Sequence, residues 1–267
     1  MNVVKDSGMS TPELAQARSF VLEAELPIAI ETMGETPPGV VSPFDSARQQ
    51  AAVVGSDVVS FVKDITEEQR KDIINASLLA QLVANKKVPD PQNLDGILAW
   101  YKEYFDVMGK IGFAVQSQGF AKYSEQSDSF EAHQAIIDIV TTALAGASPA
   151  ALPLVLKTLE SLKKLSDDSP WITLFHRESR SGNTARFQVS VADSPSTGSS
   201  LNIFAFGLSA DASVTQVLFF RFKKNHATLQ HNNAMLTINE TVLAGIRDDV
   251  AQKITKFSKD FVAGLDI

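Results

Sequence analysis

Four runs rich in β-branched and aromatic residues, 171–178, 185–192, 200–209 and 214–224, follow one another with only short breaks between them. The breaks fall at 181–183, 193–198 and 210–212 and carry glycine, proline, serine, asparagine and aspartate. A parallel crossover needs roughly a dozen residues or more, so these runs are expected to pair as antiparallel hairpins. A further short hairpin is expected from 226–231 to 234–238 through Asn232 and Asn233. The chain then reads as a helix over about 240–262, with Val242, Ile246, Val250, Ile254, Phe257 and Phe261 on one stripe.

Two of the strands carry apolar residues on both faces. Leu201, Ile203 and Ala205 oppose Phe204, Phe206 and Leu208. In the next run Leu218, Phe220 and Phe222 lie on one face, while Val217 and Phe219 give way to Arg221 and Lys223 on the other. A sheet that is apolar on both faces must be covered on both faces. Arg221, Lys223 and Lys224 then mark where cover ends, and they are the candidates for contact with an anion.

The cover is available in the first half, which reads as helix. Ser10 to Glu13 forms a capping-box pattern ahead of a helix to about Ala24, and prolines and glycine make 25–44 an irregular linker. Helices are expected over about 45–63 and 66–86, the second opened by Thr66 and Gln69 with Ile74, Leu78 and Leu82 on its stripe. An amphipathic helix at 95–110 is followed by a strand-like stretch at 111–123. A helical pair is expected at 129–146 and 149–165, with Ser148 as N-cap and Pro149 as first helical residue of the second member. The fold class is therefore α+β, with a helical amino-terminal half packed on an antiparallel meander over about 171–238 and closed by a helix. The organisation is one domain, 1–267, made of a first helix and linker (1–44), a mainly helical part (45–165) and a sheet with its helix (171–267).

Several chemistries are excluded or unsupported. The 267 residues include no cysteine, which removes disulfides, thiolate metal sites, thiol nucleophiles and S-acylation. A net charge of −7 makes nucleic acid a poor partner. Phosphate-binding loops, dinucleotide fingerprints, nucleophile elbows and zinc-protease motifs are all missing from the sequence. The four histidines, His133, His176, His226 and His231, form no ligand spacing, so neither metal nor cofactor is expected. The segment at 176–180 is the densest polar cluster, and on a strand it would set His176 and Glu178 on one face as a weak hydrolase alternative.

The strongest functional hint is the segment 139–156, eighteen residues without a charge. Its length is near the lower limit of a membrane span, but Pro149 and Pro153 interrupt it, so it reads as the tip of a helical hairpin. Ile139, Val140, Leu144, Leu152, Leu154 and Val155 are the candidate membrane or ligand contacts, with Phe204, Phe206 and Phe219 from the strands. The amino terminus lacks a secretory signal pattern, so the expected location is cytoplasmic as synthesised, with any export lacking a cleaved signal.

Residues 217–233, VLFFRFKKNHATLQHNN, with the segments 246–250 and 261–267, resemble a group of bacterial proteins associated with the Erwinia virulence factor, Evf. The resemblance covers mainly the carboxy-terminal half. It implies an unusual α/β fold, promotion of bacterial persistence in an insect gut, and membrane targeting through a palmitoylated cysteine. This chain has no cysteine to acylate, so no functional residue carries over. The expected function is that of a non-enzymatic, toxin-like or virulence-associated protein that meets membrane lipid or a host protein through the uncharged hairpin. The alternative is a soluble carrier or sensor of an apolar small ligand held between sheet and helices. Nothing in the sequence indicates an oligomeric state.

Overall fold

The structure, a computed structural model, describes residues 12–28, 47–123, 129–165, 169–194, 198–211, 213–214, 217, 221–223 and 227–266. Its helices are α1 (Pro12–Glu23), α2 (Glu67–Lys87), α3 (Leu94–Lys110), α4 (Ala132–Ala147), α5 (Leu152–Lys164), α6 (Pro170–Ser179) and α7 (Glu240–Phe261). The longer strands are β1 (Gln50–Val54), β2 (Asp57–Phe61), β3 (Phe113–Ser117), β7 (Thr184–Asp193), β8 (Ser200–Ala210), β10 (Ala227–Ile238) and β11 (Val262–Asp266). Shorter pieces are β4 (Ala121–Lys122), β5 (Ser129–Glu131), β6 (Arg180–Ser181) and β9 (Arg221–Lys223). The class is α+β, as expected.

The main sheet runs in the order β11-β1-β2-β7-β8-β10-β3, with β4 beside β10 and β6 beside β7. Its centre, β7-β8-β10, is antiparallel, which agrees with the short breaks in the sequence. Beyond it the sheet is mixed, because β2 joins β7 in parallel. That join adds β1 and β2 from a stretch, 45–63, expected to be helical. The run Ala51 to Val54 is apolar on both faces and buried throughout, so it has no period of two to separate it from a buried helix. The decisive signal is Gly55, whose φ of +55° turns the chain between two β-branched runs. A Cβ there would also stand 2.5 Å from Oε1 of Gln81, the atom that accepts from the Ser56 amide at 3.0 Å.

Three further expectations are corrected. The stretch 171–178 is the helix α6, with Pro170 in its first turn and Ile172, Phe175, His176 and Ser179 buried at helical spacing. Asn232 and Asn233 lie inside the continuous strand β10 rather than in a turn. There the Asn232 side chain donates to Ser117 Oγ of β3 at 2.8 Å and accepts from it, so pairing with β8 and this link to β3 outweigh turn propensity. Ser148 is the C-cap of α4, not the N-cap of α5, which starts at Leu152 with Pro153 in its first turn. The capping box at Thr66 and Gln69 forms as read, with Gln69 N donating to Thr66 Oγ1 at 3.2 Å and Thr66 N to Gln69 Oε1 at 2.9 Å. The Ser10 cap and most of the 25–44 linker lie outside the described residues.

Both faces of the sheet are covered. On one, α1, α2, α3 and α7 pack over Ala52, Val54, Val59, Phe61, Leu201, Ile203 and Leu236. On the other, α4, α5 and α6 pack over Ala51, Val53, Val58, Phe187, Val189, Phe204 and Phe206. The first layer also carries a buried polar network. Asp57 of β2, wholly buried, accepts from Ser190 Oγ at 2.8 Å and Ser77 Oγ at 3.2 Å. Burial pushes its carboxyl up to about 7, although these hydroxyls pull it part of the way back. The folded protein therefore holds this proton to higher pH than the unfolded chain does. Stability that is fully present below the unfolded pKa, near 4, falls as the pH rises through about 7. Urea unfolding at mildly acidic and mildly alkaline pH is expected to show a loss of stability on the alkaline side, and Asp57→Asn should flatten that difference.

Candidate functional site

The apolar candidates read from the sequence converge on one interface. Ile139, Val140 and Leu144 of α4 and Leu154 and Val155 of α5 are buried against Phe204 and Phe206 of β8, and Leu152 packs at the margin. Phe206 stacks on Phe187 of the neighbouring strand, with centroids 4.9 Å apart and planes 13° from parallel, and so fills the space between sheet and helices. The periodicity of the uncharged segment explains this arrangement. Ile136, Val140 and Leu144 recur every fourth residue on α4, as Val155, Leu159 and Leu162 recur at spacings of four and three on α5. Both stripes turn to the sheet.

What the hairpin presents outward is small. Thr142, Ala145, Gly146, Pro149, Ala150 and Pro153 are exposed, and no helix among the described residues is long and apolar enough to cross a membrane. The bend lies at the periphery and is tied down. Ser148, 7% exposed, donates its hydroxyl to the carboxylate of Asp193 at the end of β7. A second polar link joins Ser60 Oγ of β2 to Thr158 Oγ1 of α5 at 3.0 Å, both groups buried. The hairpin is thus an inward-facing lid whose large apolar side chains turn mostly to the sheet, with Leu152 and Leu156 partly exposed.

The opposite layer is held differently. Arg70 of α2, wholly buried, donates to Gln50 Oε1 at 2.6 Å and to the carbonyls of Ile65 and Arg48 at 3.0 and 2.8 Å. Gln81 donates to the Val54 carbonyl at 2.8 Å. Tyr101 of α3 donates to the carbonyls of Phe187 and Phe206 at 2.7 and 3.1 Å. Arg186 of β7 reaches Asn85 Oδ1 of α2 at 2.7 Å and lies 4.1 Å over the Trp100 ring. Arg247 of α7 grips Asp72 of α2 with two bonds of 2.8 Å. Directional polar contacts fasten this layer to the sheet, whereas apolar packing dominates under α4 and α5.

The remaining candidates do not assemble. Arg221 and Lys223 lie on β9, where they pair in register with Glu131 and Ser129 of β5, away from the main sheet. Phe219 and Lys224 lie outside the described residues. His176 is on α6 rather than on a strand, 7% exposed, and two residues along a helix do not share a face as they would on a strand. Glu178 pairs instead with Arg177 at 2.7 Å. His133 is buried on α4, where burial lowers its pKa. Sequence reasoning missed the polar fastening of the first layer. Arg70, Gln81 and Arg186 look like solvated residues until the strands β1, β2 and β7 are placed beside them.

No protein-family model matches the chain, and no curated protein does. Among solved structures, the chain is similar to a delta-endotoxin at 16% identity, with 70% of this chain and 84% of the other covered and a TM-score of 0.40. It is also similar to activated Cyt2Ba from Bacillus thuringiensis subsp. israelensis at 11% identity, covering 68% and 97%, with a TM-score of 0.40. The Evf virulence factor, whose family the carboxy-terminal half resembles, matches at 9% identity over 79% of this chain and 85% of that one, with a TM-score of 0.36. Identities this low transfer no residue's role to this chain.

The lid geometry makes a direct prediction about stability. Leu159→Ala, at a wholly buried position of α5, should cost about 2–5 kcal/mol in denaturant unfolding. Ala150→Asp, at the exposed bend, should stay within about 0.5 kcal/mol of the parent.

Proposed function

We propose that this chain is a toxin-like, virulence-associated protein that meets a lipid bilayer by releasing the α4–α5 hairpin from its sheet. The observation that carries the reading is the unequal fastening of the two helical layers. A layer fixed by directional hydrogen bonds loses them on opening, and each buried group left unpaired costs about 1–3 kcal/mol. A layer held by apolar packing loses mainly its shelter from water, and a bilayer interior supplies that shelter again. In water the same side chains keep the lid shut, since each fully buried Leu, Ile or Val contributes about 1.5–3 kcal/mol.

The uncharged character of 139–156 fits this role. Charged groups enter hydrocarbon at high cost, and this segment has none to carry in. Two of the hairpin's polar links to the sheet are made by hydroxyls, those of Ser148 and Thr158, which are cheap to desolvate compared with an ion pair. Release would bare Phe187, Val189, Phe204 and Phe206 on the sheet together with the matching stripes of α4 and α5. Both surfaces then have an apolar phase to enter. With no cysteine available for acylation, apolar surface is what this chain offers a membrane.

The cysteine-free sequence gives a clean test. Ser60→Cys with Thr158→Cys places two thiols where the hydroxyls now lie 3.0 Å apart, so oxidation locks α5 to the sheet. Vesicle flotation and dye release are expected for the parent and for the reduced double variant, and to be lost on oxidation. Equal activity of the oxidised and reduced forms, or no binding of the parent to vesicles of either neutral or anionic lipid, would refute the reading.

A further inference from the structure

The α4–α5 layer does not reach the whole of its sheet face. Beyond the C-terminal turn of α4 a groove of about 520 Å³ opens over β8, β10 and β3. Thr142, Ala143 and Leu144 form one wall, and the floor is the sheet itself. Register places Met235 of β10 between Asn202 of β8 and Gln116 of β3 as a row across three strands. In the adjacent row Asn233 of β10 lies opposite Phe204 of β8. Gln118 completes the rim.

None of the described lining residues is charged, and the Asn202 amide is not committed to the rest of the described protein. Asn202 is 8% exposed, yet its side chain has no hydrogen-bond partner among the described residues. Oδ1 of Asn233 is buried, with only the imidazole of His231, two residues along the same face of β10, beside it. Leaving such groups unpaired costs free energy that a packed core normally avoids, so the face is built to be completed by something else. The same strand shows the contrast. Asn232 points to the opposite face, is 3% exposed, and is fully engaged with Ser117.

The chemistry of the lining selects the ligand. An ionic group would find no counter-charge, and an aliphatic chain would leave the amides unpaired. A side-chain amide offers a donor and an acceptor in one plane, and neighbouring hydroxyls on a sugar ring match both. The volume lies in the ~300–1,000 Å³ range of small-ligand sites. We propose that this groove binds a neutral carbohydrate, with Asn202, Asn233 and Gln116 supplying the hydrogen bonds and Met235 the apolar contact.

Saturation-transfer NMR with the methyl glycosides of glucose, galactose, mannose and N-acetylglucosamine tests the proposal, with inorganic phosphate, phosphocholine and hexanol as comparators. At least one neutral glycoside is expected to bind, and Asn202→Ala is expected to weaken it by about tenfold or more. Gln116→Ala changes an exposed residue and so serves even if the Asn202 variant does not fold. Binding of none of the glycosides, equal binding by Gln116→Ala, or preference for phosphocholine or hexanol would overturn it. The oxidised Ser60→Cys/Thr158→Cys protein should retain the sugar while it loses the membrane, which separates this site from the release of the lid.

Discussion

The constraint on which the rest of the molecule depends is a sheet that is apolar on both faces. Leu201, Ile203 and Ala205 face one way from β8, and Phe204, Phe206 and Leu208 face the other, all essentially withdrawn from solvent. Neither face can be left to water, so the helices must divide into two covering layers. Four helices take one face and three the other among the described residues. The membrane proposal and the sugar groove both follow from how the second layer does its part: it is held mainly by packing, and it stops short of the end of the sheet.

The two layers show how differently cohesion can be distributed around one sheet. Under α2 and α3 the sheet carries Asp57, Ser190 and Arg186, and the helices answer with Ser77, Asn85 and Tyr101. Such networks fix geometry as well as adding stability, because each group has a direction to satisfy. Under α4 and α5 the groups in contact are mostly aliphatic and aromatic. Packing of that kind is strong in total, and it is the kind of interaction that another apolar medium can replace.

The extent to which this was legible in the sequence follows the same division. Segments with a clear period or a clear cap are legible: α2 from Thr66 and Gln69, α7 from its stripe, and β7 and β8 from their β-branched runs and short breaks. Other segments are less legible. Ala51 to Val54 has no polar face to declare its period, and the composition of 171–178 favours a strand although Ile172, Phe175, His176 and Ser179 stand at helical spacing. Asn232 and Asn233 look like a turn because the signal of their strand lies in the partners β3 and β8, far along the chain. The site was legible as a set of residues but not in its orientation. A charge-free segment looks the same whether its large side chains point in or out, and only the placement of the sheet decides that they point in.

The parallel join between β2 and β7 has a consequence for how the molecule is assembled. Val58 and Val189 are register partners, and most of the helical residues lie in the chain between them. The β1–β2 hairpin can close early around Gly55, but its open edge has to wait for a strand made much later. Loop closure of that length is slow compared with local pairing. During synthesis the nascent chain therefore carries a bare, valine-rich ribbon, and chaperone engagement or a stalled, aggregation-liable intermediate would be concentrated there.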